Sequence, residues 1–347
     1  MRLLVTGAAG FIGTNFVRQA LARDAGRPAV ERLVAVDLLT YAGNFENLAS
    51  LAGDARFRFV RADIADGEAM TGLFAEEGVE VVVNFAAESH VDRSIGDAGP
   101  FLRTNVHGTL ALLEAARATS TLRRYLQVST DEVYGSIADG RATETHPMHT
   151  SSPYAASKAA ADAFVQAYAV THGVPAVITR CSNNYGPWQF PEKLIPLFVT
   201  NALDGQALPL YGDGQNVRDW IHVEDHCDAI WHVLGLDATH GEVWNVSGHN
   251  EVPNRAVTDA ILRLTERPPD LVRYVADRPG HDRRYALDAS RLRATGWSPR
   301  RRFDEGLAST VAWYREQRAW WENVKSGAYR DYYERMYGDR LRGAGRG

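Results

Sequence analysis

The segment from Thr6 to Gly13, which reads T-G-A-A-G-F-I-G, constrains the fold of this chain more than any other part of its sequence. It follows a short apolar run at Leu3–Val5 and opens a helical pattern, so it joins a strand directly to a helix. Its glycines permit a tight turn and let the backbone approach a pyrophosphate closely. The helix N-terminus adds unpaired N–H groups and the positive end of the helix dipole. The segment therefore predicts a dinucleotide-binding turn rather than a plain one.

Strand-like runs alternate with helical patterns over the first 180 residues. The runs are nearly continuously apolar, which is typical of parallel strands that are buried on both faces. We therefore predict an α/β fold with a doubly wound, Rossmann-like parallel sheet. The predicted strands are Leu3–Val5, Leu33–Val36, Phe57–Val60, Val79–Phe85, Tyr125–Val128 and Ala176–Arg180. The predicted helices are Gly13–Arg23, Glu68–Glu76, Pro100–Thr119 and Tyr154–His172.

This alternation ends near Arg180. Shorter elements follow, separated by loops with Pro and Gly at 184–187 and 211–214, and helices are predicted near Asn254–Thr265 and Phe303–Trp321. We predict a first domain at residues 1–180 that binds the dinucleotide. A smaller mixed α/β domain is predicted at 181–347, with part of 216–250 woven back into the first domain.

Composition excludes several classes of protein. The 347 residues are 45% hydrophobic and 23% charged, which is ordinary for a folded chain. A net charge of -5 leaves no basic excess for nucleic acid or an anionic membrane. Cys181 and Cys227 are too few for a disulfide framework and lack metal-ligand spacing, so we predict no metal site. With no secretion signal and no apolar run of about 20 residues, we expect a cytoplasmic protein.

Two aspartates follow predicted strands and are candidates for contacts to the adenosine half of the dinucleotide. Asp37 ends the second strand, where its carboxylate can accept hydrogen bonds from ribose hydroxyls and would repel a 2'-phosphate. This predicts NAD rather than NADP. Asp63 follows the third strand and is placed to meet the adenine amino group, although a helix cap explains an aspartate there almost as well.

Tyr154 and Lys158 stand one helical turn apart, so their side chains share a face of the predicted helix. A nearby ammonium and the positive charge of a nicotinamide favour the phenolate, which makes Tyr154 a candidate base. The spacing alone is also common on ordinary amphipathic helices. Lysine is rare here, because the chain has 38 basic residues and its lysines are only Lys158, Lys193 and Lys325. A compact ammonium at 158 therefore favours the functional interpretation.

The strand at Tyr125–Val128 leads into Ser129, Thr130, Asp131 and Glu132. The carboxyl end of a strand is where a doubly wound sheet presents its ligand site, so Thr130 is placed to bond a substrate oxygen. Adjacent carboxyl groups can divide acid and base work if their surroundings separate their pKa values. Taken alone, such a pair is more often a solvated turn.

Together these motifs resemble the dTDP-glucose 4,6-dehydratases of the extended short-chain dehydrogenase/reductase family. The resemblance covers essentially the whole chain, and the Thr130-Asp131-Glu132 run ahead of Tyr154 and Lys158 is its specific element. Ala8 and Thr14 depart from residues common in that family. The further matching segments are 84–94 (NFAAESHVDRS), 129–135 (STDEVYG), 181–187 (CSNNYGP), 191–196 (PEKLIP), 217–220 (VRDW), 277–281 (DRPGH) and 323–329 (NVKSGAY).

The resemblance implies a reaction cycle on a nucleotide sugar. Tyr154, steadied by Lys158 and Thr130, takes the C4 hydroxyl proton as hydride passes from C4 to NAD+. Glu132 then removes the C5 proton, Asp131 protonates the C6 hydroxyl so that it leaves as water, and hydride returns to C6. The product is a 4-keto-6-deoxy sugar nucleotide.

The resemblance also implies the binding residues. The cofactor set is Gly7, Gly10, Phe11, Ile12, Gly13, Asp37, Asp63, Ile64, Ala86, Tyr154, Lys158 and Asn184. The substrate set is Ser89, Thr130, Asn183, Lys193, Leu194, Pro209, Tyr211, Arg218, Asn254, Arg278 and His281. Arginines such as Arg218 and Arg278 suit a diphosphate, although each taken alone is more often part of a surface ion pair.

The sequence is also compatible with other functions. A nucleotide-sugar 4-epimerase or decarboxylase would use the same scaffold without Asp131 and Glu132, and a catalytically inactive relative would only bind NAD(H). Spacing does not distinguish thymidine from uridine in the substrate, nor rhamnose formation from a secondary-metabolite pathway. The resemblance further implies a homodimer through the helices near Pro100–Thr119 and Tyr154–His172, forming a four-helix interface.

Overall fold

The computed structural model describes residues 1–22, 27–238, 240–326, 333–334, 337 and 340–341. The predicted helix end at Arg23 and the last three residues of the 323–329 motif lie outside these ranges. The strands are β1 (Arg2–Thr6), β2 (Arg32–Asp37), β3 (Phe57–Arg61), β4 (Val81–Asn84), β5 (Arg124–Thr130), β6 (Ala176–Cys181), β7 (Asn183–Tyr185), β8 (Leu208–Tyr211), β9 (Val217–His222), β10 (Val243–Val246), β11 (Glu251–Pro253) and β12 (Val272–Val275).

The α-helices are α1 (Phe11–Leu21), α2 (Gly67–Glu77), α3 (Val91–Gly96), α4 (Gly99–Phe101), α5 (Thr109–Arg117), α6 (Pro153–His172), α7 (Leu194–Leu203), α8 (Val223–Gly235), α9 (Asn254–Leu264), α10 (Ser290–Ala294), α11 (Phe303–Glu316) and α12 (Arg318–Val324). Short 3-10 helices lie at Phe45–Leu51, Asp131–Tyr134 and Pro269–Leu271. A π-helical segment, Leu102–Gly108, connects α4 to α5.

A seven-stranded parallel sheet forms the first layer of the molecule, in the order β10-β6-β5-β4-β1-β2-β3. Alternate residues of each strand face opposite sides. In β1, Leu3 and Val5 pack against α1 and α8, whereas Leu4 packs against α2, α5 and α6. The sheet is therefore covered on both faces, and the predicted doubly wound α/β fold is confirmed.

The rest of the described chain packs around a separate apolar core. Strands β11, β9 and β7 form a small mixed sheet, and β12 pairs with β8 in parallel. Helices α7, α9 and α11 bury Phe198, Ile261 and Leu307 against these strands. From residues 216–250, α8 and β10 lie with the large sheet. The boundary at residue 180 stays a prediction.

Three segments differ from the sequence expectations. The helix predicted at Pro100–Thr119 contains the π-helical segment, which places Asn105 against the loop after β4, where its amide bonds both backbone groups of Glu88. The helix predicted at Phe303–Trp321 breaks at Gln317, which lets Trp321 turn inward and donate to the carbonyl of Tyr314 at 2.7 Å. Strand β7 occupies part of the loop predicted at 184–187.

Helix α6 begins and ends where local chemistry requires. The Ser152 side chain accepts a hydrogen bond from the backbone N–H of Ala155 (3.1 Å), and Pro153 starts the first turn. Gly173 ends the helix in the left-handed region at φ 67°. Among the residues that the structure describes, no helix is both long and apolar enough to cross a membrane.

Candidate active site

A cavity of about 410 Å³ lies between the carboxyl edge of the large sheet and the smaller sheets. The strands of the large sheet are parallel, so the residues that follow β1, β2, β3, β4, β5 and β6 meet at this edge. Every residue that the sequence analysis assigned to catalysis, cofactor or substrate lines this cavity. The structure therefore brings the predicted site residues together, although their individual roles stay predictions.

The glycine turn follows β1 and ends at the N-terminus of α1. Gly7 has φ 62°, and a Cβ built there would lie 2.6 Å from the backbone nitrogen of Ala86. A Cβ at Gly13 would lie 2.2 Å from the carbonyl oxygen of Gly7, so neither position admits a side chain. Gly10 caps α1 with no side-chain hydrogen bond, and the first turn carries no acidic residue. Gly10, Phe11, Ile12 and Gly13 line the cavity, so the positive end of α1 adjoins it, which suits an anionic group.

The two aspartates at the adenosine end differ in their surroundings. Asp37 is buried at the end of β2, where its carboxyl oxygens accept the N–H groups of Ala9 (2.9 Å) and Leu39 (2.8 Å). Burial raises the pKa of Asp37. Asp63 accepts the N–H of Ala65 (2.9 Å) and pairs with Arg103 (2.7 Å). The cap of α2 is Asp66 rather than Asp63, which removes the helix-cap explanation for Asp63.

Tyr154 and Lys158 both project from α6 into the cavity, as their spacing predicts. The ammonium of Lys158 donates to the carbonyl of Val128 at 2.7 Å, and burial lowers its pKa. Burial raises the pKa of Tyr154 well above its ordinary value, the Glu132 carboxylate raises it further, and a hydrogen bond with Thr130 lowers it. Burial and Glu132 therefore outweigh Thr130 and disfavour the phenolate, which the sequence analysis expected Lys158 and the positive charge of a nicotinamide to favour.

Asp131 and Glu132 form the first turn after β5, and their surroundings separate them. Thr130 caps this turn by accepting the N–H of Glu132 at 3.3 Å, and its hydroxyl donates to Asp131 at 3.2 Å. Asp131 is buried, and its Oδ2 has no hydrogen-bond partner among the described residues. Burial, followed by the nearby carboxylates of Glu132 and Asp219, raises the pKa of Asp131 well above its usual range. Asp131 thus holds its proton to a higher pH than an exposed aspartate does.

Glu132 is partly exposed to the cavity and faces three cations. Burial raises its pKa, but the charges of Lys193, Arg278 and Arg218 all lower it. For its neighbour Asp131, the carboxylates of Glu132 and Asp219 raise the pKa and only one cation, Arg218, lowers it. The pKa of both carboxyl groups is raised, but the cations oppose the rise for Glu132, so Asp131 is the better acid and Glu132 the better base of the pair. The solvated-turn interpretation of this pair is wrong for Asp131, which is 3% exposed.

Cationic and neutral nitrogen groups line the far side of the cavity. Lys193 precedes α7 and donates to the carbonyl of Ser89 at 2.7 Å. Arg218 is buried, donates to two backbone carbonyls and lies 4.2 Å from the ring centre of Tyr285. Arg278 pairs with Asp92 at 3.1 Å. These guanidinium groups face a cavity, so the surface-ion-pair interpretation fails for both arginines.

The remaining polar residues of the predicted substrate set offer neutral contacts. Burial, followed by the charges of Arg278 and Arg218, lowers the pKa of His281 to about 4. Asn183 and Asn254 each have a side-chain oxygen with no hydrogen-bond partner among the described residues. Asn184 bonds the ring of buried His226 at 2.9 Å. Unpartnered buried oxygens at a cavity are ready to accept hydrogen bonds from a ligand.

Sequence reasoning missed several residues that line the cavity. The most distinctive is Glu192, whose carboxylate accepts a hydrogen bond from Tyr41 at 3.0 Å and whose pKa burial raises to about 7. The sequence signal that could have identified Glu192 was its position directly before Lys193, a predicted substrate residue. Tyr337, near the C-terminus, also lines the cavity. Nothing in its sequence surroundings points to a pocket that is formed mainly by residues more than 100 positions earlier.

Within the described ranges, no three His, Cys, Asp or Glu side chains are grouped so that they could hold a metal ion. Cys181 lines the cavity, but burial raises the pKa of its thiol to about 12. That thiol stays protonated and is a poor nucleophile.

Known proteins similar to this chain share both its length and its fold. The model of the GDP-mannose 4,6 dehydratase family matches residues 4–310. The dTDP-glucose 4,6-dehydratase of Streptomyces niveus is 51% identical over 327 residues, covering 94% of this chain and 96% of that protein.

Solved structures are also similar to this chain. DesIV, a dTDP-glucose 4,6-dehydratase from Streptomyces venezuelae solved with NAD bound, superposes with a TM-score of 0.91 at 52% identity, over 94% of this chain and 100% of DesIV. The UDP-glucose 4-epimerase of Thermus thermophilus, in complex with NAD, superposes with a TM-score of 0.82 at 34% identity, over 91% and 100% of the two chains. The fold is therefore common to both kinds of enzyme, and the sequence is closer to that of the dehydratases.

Proposed function

The chain belongs to the dTDP-glucose 4,6-dehydratase family, and on this premise we propose how its own residues divide the NAD-dependent dehydration of dTDP-glucose. The observation that carries the proposal is the pair Asp131 and Glu132. They adjoin one another in a single cavity with Tyr154, and burial raises the pKa of both, well above the usual range for Asp131, while three cations oppose the rise for Glu132. Water elimination needs such an acid and base, whereas epimerisation at C4 does not.

The turn at Gly7, Gly10 and Gly13 fits a dinucleotide, because it lines the cavity at the positive end of α1 and is so tight that a Cβ at Gly7 or Gly13 would collide with the backbone. Asp37 is placed for the ribose hydroxyls and Asp63 for the adenine. NAD supplies the hydride acceptor and donor when it is bound. The acidic group at the end of β2 favours a ribose without a phosphate.

Tyr154 accepts the C4 hydroxyl proton in this proposal. Its hydrogen bond with Thr130 stabilises the phenolate, while burial and Glu132 oppose it. The ammonium of Lys158 lies one helical turn away on α6 and supplies the positive charge that a phenolate needs in a buried site. Oxidation at C4 therefore depends on Tyr154, Lys158 and Thr130.

Asp131 and Glu132 carry the elimination. Glu132, held towards the anionic form by Lys193, Arg278 and Arg218, takes the C5 proton once C4 is a ketone. Asp131, whose pKa burial raises well above its usual range, donates its proton to the C6 hydroxyl as the C6–O bond breaks and water leaves. Since neither carboxyl group is needed to oxidise C4, oxidation and elimination are separable by mutation.

The substrate's nucleotide end is held by the cations on the far side of the cavity. Arg218 and Arg278 are placed to bond the diphosphate, and Lys193 supplies a third positive charge. Asn183 and Asn254 present oxygens that have no partner within the described part of the chain, and His281 is neutral near pH 7 because its pKa is about 4. Local cations are required because the chain as a whole carries a net charge of -5.

The experiment compares Glu132→Gln and Asp131→Asn in a single turnover with dTDP-glucose. Glu132→Gln should accumulate NADH and a 4-keto nucleotide sugar while C5 exchange with deuterated water slows strongly. Asp131→Asn should retain C5 exchange while water loss falls by about 100-fold or more. A structural defect would instead slow every step together. If both variants eliminate water at the parent rate, the assignment is wrong and the epimerase alternative reopens.

We also propose that the protein is a cytoplasmic homodimer that pairs through α6 and the helix formed by α4, the π-helical segment and α5. Supporting this, Leu102, Phe164 and Val170 on these helices are 54%, 37% and 82% exposed, which is unusual for large apolar side chains. Light scattering should give twice the mass of 38.3 kDa. Phe164→Glu should shift that mass towards the monomer, and an unchanged mass would locate the interface elsewhere.

A further inference from the structure

Residues near the C-terminus reach the cavity although they lie far from its other residues in sequence. Tyr337 is 5% exposed, lines the cavity and packs in the core around α7, α9 and α11. Its ring centre lies 6.2 Å from that of Tyr211, which ends β8 and also lines the cavity. The two phenol groups also share a hydrogen bond.

Arg340 is joined to the same tyrosine. Its guanidinium donates to the hydroxyl of Tyr211 at 2.5 Å and lies 5.0 Å from the centre of that ring. The Tyr211 hydroxyl in turn donates to one carboxylate oxygen of Asp92 at 3.1 Å. The other oxygen of Asp92 accepts from Arg278, also at 3.1 Å. A continuous chain of polar contacts therefore runs from Arg340 to Arg278, a cation that lines the cavity.

Contacts of Tyr333 hold the C-terminal residues against the second region of the molecule. The hydroxyl of Tyr333 accepts a hydrogen bond from the Asn201 side chain of α7 at 3.1 Å. The rings of Tyr333 and Tyr337 are 5.1 Å apart. These contacts attach the residues to the second region of the molecule, whereas Tyr154 and Lys158 stand on α6, which packs against the large sheet.

We propose that Tyr337 contacts the nucleotide diphosphate part of the substrate and that Arg340 is a positioning residue for Arg278, acting through Tyr211 and Asp92. The inference rests on the proposed function, and it adds two residues to the substrate site. The nucleotide end is indicated because the chain of contacts ends at Arg278, one of the cations assigned to the diphosphate. The reacting sugar carbons belong beside Tyr154 and Glu132.

The test uses the full-length protein with dTDP-glucose as substrate and dTDP as a competitive inhibitor. Arg340→Gln and Tyr337→Phe should each raise KM about 5- to 10-fold, raise the inhibition constant of dTDP by the same factor, and change kcat less than 2-fold. Arg340→Lys, which keeps a cation, should recover part of the loss. The matched control is Arg318→Gln, because Arg318 is an exposed arginine paired with Asp204 and Glu322 away from the cavity. It should leave all three constants at the parent values.

Two results would overturn the inference. A purely structural role predicts a lower melting temperature in Arg340→Gln and Tyr337→Phe, with KM and the dTDP inhibition constant unchanged. Contact with the sugar predicts a fall in kcat with the dTDP constant unchanged. Direct titration of dTDP binding to the same variants is independent of turnover. If the parent does not dehydrate dTDP-glucose, the proposed function fails, whereas unchanged dTDP binding in the variants defeats this inference alone.

Discussion

Replacing Glu192 by glutamine should make the protein more stable at alkaline pH, because the carboxyl group of Glu192 is held in a site that opposes its ionisation. Glu192 is 6% exposed. Burial raises its pKa to about 7 from an ordinary 4.5, against the opposing charges of Lys193 and Arg93 and a hydrogen bond from Tyr41. Glutamine has the same shape and keeps an oxygen that can accept from Tyr41, so the variant imitates the neutral acid.

The magnitude follows from the two pKa values. A carboxyl group with a raised pKa in the folded state contributes its stability fully below the unfolded pKa of 4.5, and that contribution is lost as the pH rises through 7. Between pH 5 and pH 8 the parent should therefore lose about 2.5 kcal/mol from this group. Glutamine does not titrate, so the stability of Glu192→Gln relative to the parent should rise by that amount over the same interval.

Urea unfolding, followed by tryptophan fluorescence at pH 5 and pH 8, measures this difference. Glu77→Gln is the matched control with the opposite sign, because hydrogen bonds with Arg32 and Arg58 lower the pKa of Glu77. Its loss of stability should be similar at both pH values, since both lie above 4.5. If Glu192→Gln differs from the parent by the same free energy at pH 5 and pH 8, Glu192 has an ordinary pKa and the reasoning is refuted.

Three further predictions concern the cofactor and the base. Titration should show that NAD+ binds at least about 10-fold more tightly than NADP+, because a 2'-phosphate would meet Asp37, and equal affinities would remove that assignment. Tyr154→Phe should bind NAD+ normally but slow single-turnover NADH formation by about 100-fold or more, and near-normal oxidation would identify a different base. Gly13→Ala should lose NAD+ binding, since its Cβ would lie 2.2 Å from the Gly7 oxygen, whereas Gly72→Ala, whose Cβ meets nothing within 4 Å, should retain binding.

Much of the fold could be read from the sequence because its signals are local. Nearly continuous apolar runs predict the strands of the large sheet, and the glycine turn between β1 and α1 predicts where a dinucleotide binds. The break at Gln317 and the π-helical segment could not be read in this way. Both depend on a distant partner, the core that buries Trp321 and the backbone of Glu88 that bonds Asn105.

The candidate site was likewise predictable from the sequence only where the signal is local. Residue types and spacing predicted the fold class, and together with the resemblance they gave the catalytic candidates. A parallel sheet brings the carboxyl ends of its strands to one edge, so Thr130 and Asp37 line one cavity. Only the tertiary structure decided that burial and neighbouring carboxylates raise the pKa of Asp131 while three cations oppose that rise for Glu132, and that Glu192 and Tyr337 belong to the same cavity. The physical reason is that burial and neighbouring charges set a pKa, and both are created by contacts between residues that lie far apart in the chain.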